Sequence, residues 1–373
     1  MNFDFSAEQE QLRDQARKIF SKALSSARRV LETGITHDSE LWASIVALGW
    51  PAAGIAEEAG GLGLSALEWC VVAEEAGRVL APVPFASSVQ MATVMLQQLQ
   101  PCPNAHALLE ALACGESIAS VAFLERGQDS WTNRPSVRIV DGRLNGRKAL
   151  VADAGVADAF IVSALDEQDN PGWWWVNARD AGVNLEVVTA IDRVRSHADL
   201  CLDRVVATRL GAGLPWQAVT ERALNASAVL VAFEQLGTAE AALALTLDYI
   251  NTRKTFNRTV ASYQAVKHQM ADLYVKLQLA RSHCYYGAWA LTEAPDVLPL
   301  AAAGARLAAS DALNDVAEAA VELHGGIGFT WESDVQLFYR RARLLATQLG
   351  GRAVWSQRLV DALSPVHLQE IKG

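Results

Sequence analysis

Apolar positions along the chain change their period twice, and the changes divide it into three regions. In the first, Leu12, Ala16, Ile19, Phe20 and Ala23 keep helical spacing behind Ser6 and Gln9, a capping-box pair. A second helix through Trp42, Ile45 and Val46 is predicted to stop near Gly49 and Pro51. Gly60, Gly61 and Gly63 read as a loop, and Ser65 with Glu68 caps a helix that ends before Pro82 and Pro84. Further helices are predicted at about 86–98 and 105–114. From about residue 117 the apolar runs become short: IASVAFL, SVRIV, FIVSAL, WWWV and NLEVV. Asp141-Gly142, Asn145-Gly146 and Pro171-Gly172 separate them, which predicts strands joined by tight turns, with Trp173, Trp174 and Trp175 alternating in burial. Strand character fades after about 206, where LGAGLP reads as a linker, and helical spacing returns from 216 to 363. Segments 217–252, 262–292, 299–323 and 331–347, with short connections, read as an antiparallel four-helix bundle. Segregated blocks rather than βαβ alternation give an α+β, mainly α, fold with regions 1–116, 117–212 and 213–373.

Composition narrows the class. Over 373 residues, 51% are apolar and 20% charged, enough to bury large cores. The net charge of −10 argues against nucleic-acid binding and against an anionic membrane surface as partner. The opening MNFDFSAEQEQLRDQ has neither a cationic nor an apolar leader segment, and no uninterrupted apolar run reaches membrane-spanning length. Cys70, Cys102, Cys114, Cys201 and Cys284 are scattered without a CxxC pair, so they read as reduced structural thiols and not a metal site. These features together predict a cytoplasmic protein.

Two stretches concentrate candidate chemistry. Arg253-Lys254-Thr255-Phe256-Asn257-Arg258, followed by Tyr263-Gln264-Ala265-Val266-Lys267-His268, gathers basic groups in an acidic chain. It reads either as a solvated helix–helix corner or as a phosphate clamp, since Arg offers a rigid donor fork. Gly325-Gly326-Ile327-Gly328 follows a helix, so it is no dinucleotide fingerprint. It is either a helix-ending turn or a loop whose backbone N–H groups approach an anion, with Thr330 as a candidate N-cap for the next helix.

Both stretches carry a resemblance. RKTFNRTVASYQAVKHQMAD is similar to the RxxFGxPxxxFQxxxHxxAD signature of acyl-CoA dehydrogenases, and LHGGIGFTWESDVQLFYRRA to HGGIGFTWEHDxHLYxRRA of bacterial members. FDFSAEQEQLRD, IAEEAGGLGLS, EWCVVAEEAGR and RLNGRKALVADAGVADAFIVSA resemble the family's N-terminal and central regions, so the likeness spans nearly the whole chain. It implies an N-terminal helical domain, a central β-barrel or sandwich domain and a C-terminal four-helix bundle, with FAD between the last two. It implies that Arg253, Phe256 and Gln264 hold FAD across a subunit interface, with Glu322, Gly325 and Gly326 near the partner's cofactor. It further implies an acyl-CoA substrate oxidised to a 2,3-enoyl-CoA, an electron-transfer flavoprotein as acceptor, and a homotetramer or a heterotetramer with a related chain.

The departures bear on chemistry. Asn257, Thr259 and Glu322 stand where the family has Gly, Pro and Gln. AFLERGQDS, Ala122 to Ser130, replaces an ALTEPxxGSD-like flavin-binding stretch, keeping Glu125, Gly127 and Ser130 but not the Thr or Pro. ALVADAG, Ala149 to Gly155, replaces the Trp-and-Thr strand that covers the flavin. Removal of an α-proton needs a positioned carboxylate, yet the two usual base positions align with Leu349 and Ser227. Glu234, two turns beyond Ser227, is the candidate base, with Glu221 a poorer one. An ordinary polar bundle residue is the other reading of Glu234. A chain without a base of its own would be a non-catalytic partner subunit that lends its Arg253 clamp to another chain's FAD.

Overall fold

A computed structural model describes residues 7–21 and 23–370, with side chains omitted for Ala7 and 364–370. Ser6, expected to cap the first helix, lies outside the described residues. Six α-helices lead: α1 (Ala7–Phe20), α2 (Ala23–Thr33), α3 (Ser39–Ala47), α4 (Ala66–Arg78), α5 (Val94–Gln98) and α6 (Pro103–Ala113). Eight strands follow: β1 (Ala119–Ala122), β2 (Arg138–Val140), β3 (Arg143–Ala152), β4 (Ala159–Leu165), β5 (Pro171–Asn177), β6 (Val183–Val188), β7 (His197–Val205) and β8 (Thr208–Leu210). Then come α7 (Trp216–Thr252), the hairpin β9 (Lys254–Thr255) and β10 (Arg258–Thr259), α8 (Gln264–Thr292), α9 (Leu298–His324), α10 (Val335–Thr347) and α11 (Arg352–Glu370). This helix–sheet–helix order is the predicted one, with a further helix, α11, beyond the four of the bundle.

The described residues form two compact units: those up to 29, 66–81 and from 228 onward make one, and 30–65 with 82–227 the other. In the second, Asp38 caps α3 by accepting the Glu40 and Leu41 N–H groups at 3.1 and 3.0 Å, and Gly49 at φ +73° ends it. Residues Phe85–Thr93 form a wholly buried π-helical segment that continues into α5. The strands make one mixed sheet in the order β6-β7-β3-β2-β4-β5-β8, with β1 parallel to β4. Asp141 and Gly142, both at positive φ, form the predicted tight turn between β2 and β3.

The other two predicted turns lie inside strands. Asn145-Gly146 belongs to β3, where Gly146 at φ +137° marks a bulge opposite β7; a Cβ there would come 2.8 Å from Val137 Cγ2. Pro171-Gly172 opens β5, and the chain reverses just before it. There Asp166 Oδ1 accepts the N–H groups of Gln168 and Asn170 at 2.9 and 2.8 Å. The tryptophans do not alternate in burial, because both faces of β5 are covered. Trp174 joins the sheet core with Phe160 and Leu200, while Trp173 donates its indole N–H to Thr220 Oγ1 at 3.2 Å and stacks on Trp216.

A charged pair sits within this sheet. Lys148 Nζ lies 2.6 Å from Glu125 Oε1 and 2.9 Å from Ser163 Oγ. Burial pushes the Lys148 ammonium down to about 8. Burial alone would raise the Glu125 carboxyl, but donors from Lys148, Ser136 and Val137 outweigh it and hold it below the usual carboxylate range.

In the first unit, α9 is the central helix and packs on α8, α10 and α11. Its run of buried alanines, Ala301, Ala302, Ala305, Ala309 and Ala312, lets those helices approach closely. Where α4 crosses α7, two glycines put backbone against backbone. A Cβ at Gly77 would meet the Glu234 carbonyl oxygen at 2.1 Å, and one at Gly237 would meet that of Glu74 at 1.9 Å. Thr238 Oγ1 donates to the Gly77 carbonyl across the same crossing at 3.0 Å. α1 docks on α4 through Arg13 and Arg17, which pair with the buried Glu74 and Glu75. α7 has an apolar window long enough to cross a membrane, but 78% of that window is buried within the fold.

Candidate functional site

The basic stretch folds as a projecting hairpin. Its two-residue turn, Phe256-Asn257, has both residues at positive φ, +50° and +65°. Such a turn favours Gly or Asn at its second position, which accounts for Asn257. The base of the hairpin is fixed. Val260 N–H donates to the Arg253 carbonyl at 2.9 Å, Tyr263 Oη donates to the Thr255 carbonyl at 3.1 Å, and the Arg258 guanidinium lies 3.7 Å over the Tyr263 ring. The tip is bare: Phe256 is 95% exposed. Among the described residues, neither the exposed Arg253 guanidinium nor the exposed Gln264 amide has a hydrogen-bond or ion-pair partner.

The glycine cluster leaves the same end of the bundle. Tyr249, one turn before Arg253, stacks on His324 with ring centroids 4.1 Å apart. His324 Nδ1 lies 2.7 Å from the Ala320 carbonyl, and burial holds the imidazole below its usual value. Gly325 takes φ +66° and ψ −144°, a conformation open to glycine alone, and begins a 3-10 turn through Phe329. At Gly328 a Cβ would meet the Val321 carbonyl at 2.7 Å. Gly325 and Gly326 are exposed with open space around them, so a ligand can reach their backbone. Thr330 does not cap α10: it closes the 3-10 turn, and Asp334 takes the N-cap position.

Glu322 adjoins this cluster, its carbonyl accepting the Gly325 N–H. It accepts from Gln269 Nε2 at 3.5 Å, in a groove between α8 and α9 that Asp272, Asp315 and Glu318 also line. Lys276 and His268 line the same groove, and Lys276 Nζ pairs with Asp315 at 2.6 Å, so carboxylates outnumber basic groups around Glu322.

Glu234, the candidate base, is buried in α7 with its Oε1 3.1 Å from Arg341 Nη1, and both side chains are almost fully inaccessible. One carboxylate oxygen, Oε1, thus faces a guanidinium. Arg341 lies on the buried stripe of α10 with Leu337, Phe338 and Leu345. Its spacing from those residues (four, three and four) was the signal in the sequence. Next to the pair, Arg306 reaches Gln235 Oε1 and the carbonyls of Leu345 and, at 2.6 Å, Gln348. Burial pulls Arg306 down to about 10 against the opposing influence of Glu234. Leu349, at one usual base position, is buried at φ +65°; Ser227, at the other, donates its hydroxyl to the Gln90 carbonyl at 3.0 Å.

In the sheet, the stretch implied to hold the flavin ring turns its polar groups to protein partners. Glu125 takes Lys148 and the N–H groups of Ser136 and Val137, and Ser130 Oγ lies 3.0 Å from Thr132 Oγ1. Arg126, in place of the Pro, pairs with Asp199, which also binds Arg147 and the Leu150 N–H. Leu124 and Ala152 bring no hydroxyl. The hairpin and glycine turn therefore fit an anionic dinucleotide, whereas the sheet stretch does not fit a flavin ring through its side chains.

The acyl-CoA dehydrogenase N-terminal domain model matches residues 6–104 and the C-terminal domain model 216–362. Acyl-CoA dehydrogenase IpdE2 of Mycobacterium tuberculosis is 30% identical over 340 residues, covering 90% of this chain and 91% of that protein. Among solved structures, the ChsE4-ChsE5 complex from Mycobacterium tuberculosis matches with TM-score 0.87 and 26% identity over 98% of this chain and 99% of that one. The steroid ACAD Tcur3481-Tcur3483 matches with TM-score 0.85 and 29% identity over 97% and 99%. The chain belongs to the acyl-CoA dehydrogenase family, whose members are flavoprotein oxidoreductases acting on acyl-CoA.

Proposed function

We propose that this chain is a subunit of an FAD-dependent acyl-CoA dehydrogenase built with a second, related chain. In that assembly an acyl-CoA is oxidised to a 2,3-enoyl-CoA, and electrons pass to an electron-transfer flavoprotein. This chain contributes the cofactor clasp: Arg253 and Gln264 for the pyrophosphate and its surroundings, Phe256 as an apolar cover, and the backbone at Gly325 and Gly326. FAD, when bound, supplies the hydride acceptor. Proton abstraction falls to a carboxylate of the second chain, and Glu234 is a structural ion-pair residue.

The observation that carries this reading is the contrast within one chain. Among the described residues the Arg253 and Gln264 side chains are exposed and unengaged, while Glu234 Oε1 is paired with Arg341 and the usual base positions hold Leu349 and Ser227. Two structural relatives are themselves named as pairs of chains, which supports a heteromeric arrangement. Co-expression with a related acyl-CoA dehydrogenase chain, followed by acyl-CoA turnover on the purified complex, tests the reading. Arg253→Ala is expected to lower bound flavin at least tenfold while the complex stays assembled, a charged hydrogen bond contributing about 1.5–3 kcal/mol. Unchanged flavin content would remove Arg253 from the clasp.

A further inference from the structure

The turn and loop from Gly325 to Asp334 show three large apolar side chains to solvent: Ile327, Phe329 (78% exposed) and Trp331 (52% exposed). Exposed segments of this kind are ordinarily loose, and ordering them on contact costs free energy. Here a single side chain from a distant part of the sequence holds the loop. Arg28, on α2, donates Nη1 to the Trp331 carbonyl at 2.9 Å and Nη2 to the Glu332 carbonyl at 3.0 Å. Its Nε donates to Asp334 Oδ1 at 3.1 Å, and Nη2 contacts the same oxygen. The planar guanidinium thus ties two successive carbonyls to the residue that begins α10. A lysine ammonium cannot span that arrangement. From the other side Arg340 lies 4.6 Å over the Trp331 ring, and Thr330 folds back on the Ile327 carbonyl through both its N–H and its hydroxyl.

We infer that Arg28 is a positioning residue for the cofactor clasp: it pre-orders the 327–334 loop so that Phe329, Trp331 and the neighbouring glycine backbone meet the partner-held FAD without an ordering cost. This rests on the clasp function proposed above. Arg28 touches neither cofactor nor substrate and acts only through the loop.

The test uses the complex with the second chain, titrated with FAD, alongside hydrogen–deuterium exchange of the 327–334 amides. Arg28→Ala is expected to speed exchange there and weaken FAD binding on the order of tenfold. Arg28→Lys, keeping the pair with Asp334 but not both carbonyl bonds, should fall between. Arg352→Gln, which breaks a surface pair with Asp311 elsewhere in the same unit, should change neither. If Arg28→Ala does not fold, Arg28→Lys decides, with wild-type affinity counting against the inference. Faster exchange with unaltered FAD affinity would make Arg28 merely structural and overturn the positioning role, leaving the clasp intact. Equal weakening by Arg352→Gln would overturn it too. A wild-type complex that binds no FAD sinks the clasp itself.

Discussion

Glu234 and Arg341 lie 107 positions apart in sequence and meet in the interior, which a reading of spacing along one helix cannot anticipate. Helical period put Glu234 on the same face of α7 as Ser227, and both are buried; its partner depended on the path of the bundle. Arg341 was legible in principle, since it shares a stripe with Leu337, Phe338 and Leu345. Removing one member of a buried pair leaves an uncompensated charge, at a cost of about 3–5 kcal/mol. Glu234→Ala should therefore lower the denaturation midpoint strongly, and adding Arg341→Met should recover part of the loss. Glu234→Gln, in complexes that remain folded, should keep turnover. Abolished turnover with unchanged stability would identify Glu234 as the base after all.

At the scale of elements, the three textures were readable because apolar period tracks how each region is buried: one face of a helix, both faces of a central strand. What failed was the assumption that dipeptides rich in turn residues always turn. Gly146 serves a bulge where Val137 crowds β3, and Pro171 opens a strand whose preceding turn is closed by the Asp166 carboxylate. The α4–α7 crossing was not legible either, because Gly77 and Gly237 look like weak points in helices until their facing carbonyls are known. A methyl at Gly237 must push away a backbone oxygen 1.9 Å from its Cβ, so overpacking of at least about 1–3 kcal/mol is expected. Urea denaturation of Gly237→Ala measures it; a midpoint equal to wild type would mean that the helices are free to separate.

At the scale of the whole molecule, the residues proposed for the clasp stand out in sequence because their motifs are local: a hairpin after one helix and a turn after another. Their exposure could not, and it matters most for function. Phe256, Phe329 and Trp331, all exposed on one unit of a chain with a net charge of −10, are large apolar side chains suited to a partner rather than to water. The sheet stretch from Ala122 to Ser130, which keeps the family's Ser but not its Thr hydroxyl, was visible from sequence, but its closure by Lys148, Asp199 and Thr132 was not. The division of labour between two chains is tested most directly by the visible absorption spectrum of the purified chain with added FAD, recorded alone and then with the second chain, with mass measured in solution. No stoichiometric flavin band alone, and one on formation of the mixed complex, is the predicted result. A stoichiometric flavin band on the isolated chain, bleached by acyl-CoA, would contradict it and make this chain a self-sufficient dehydrogenase.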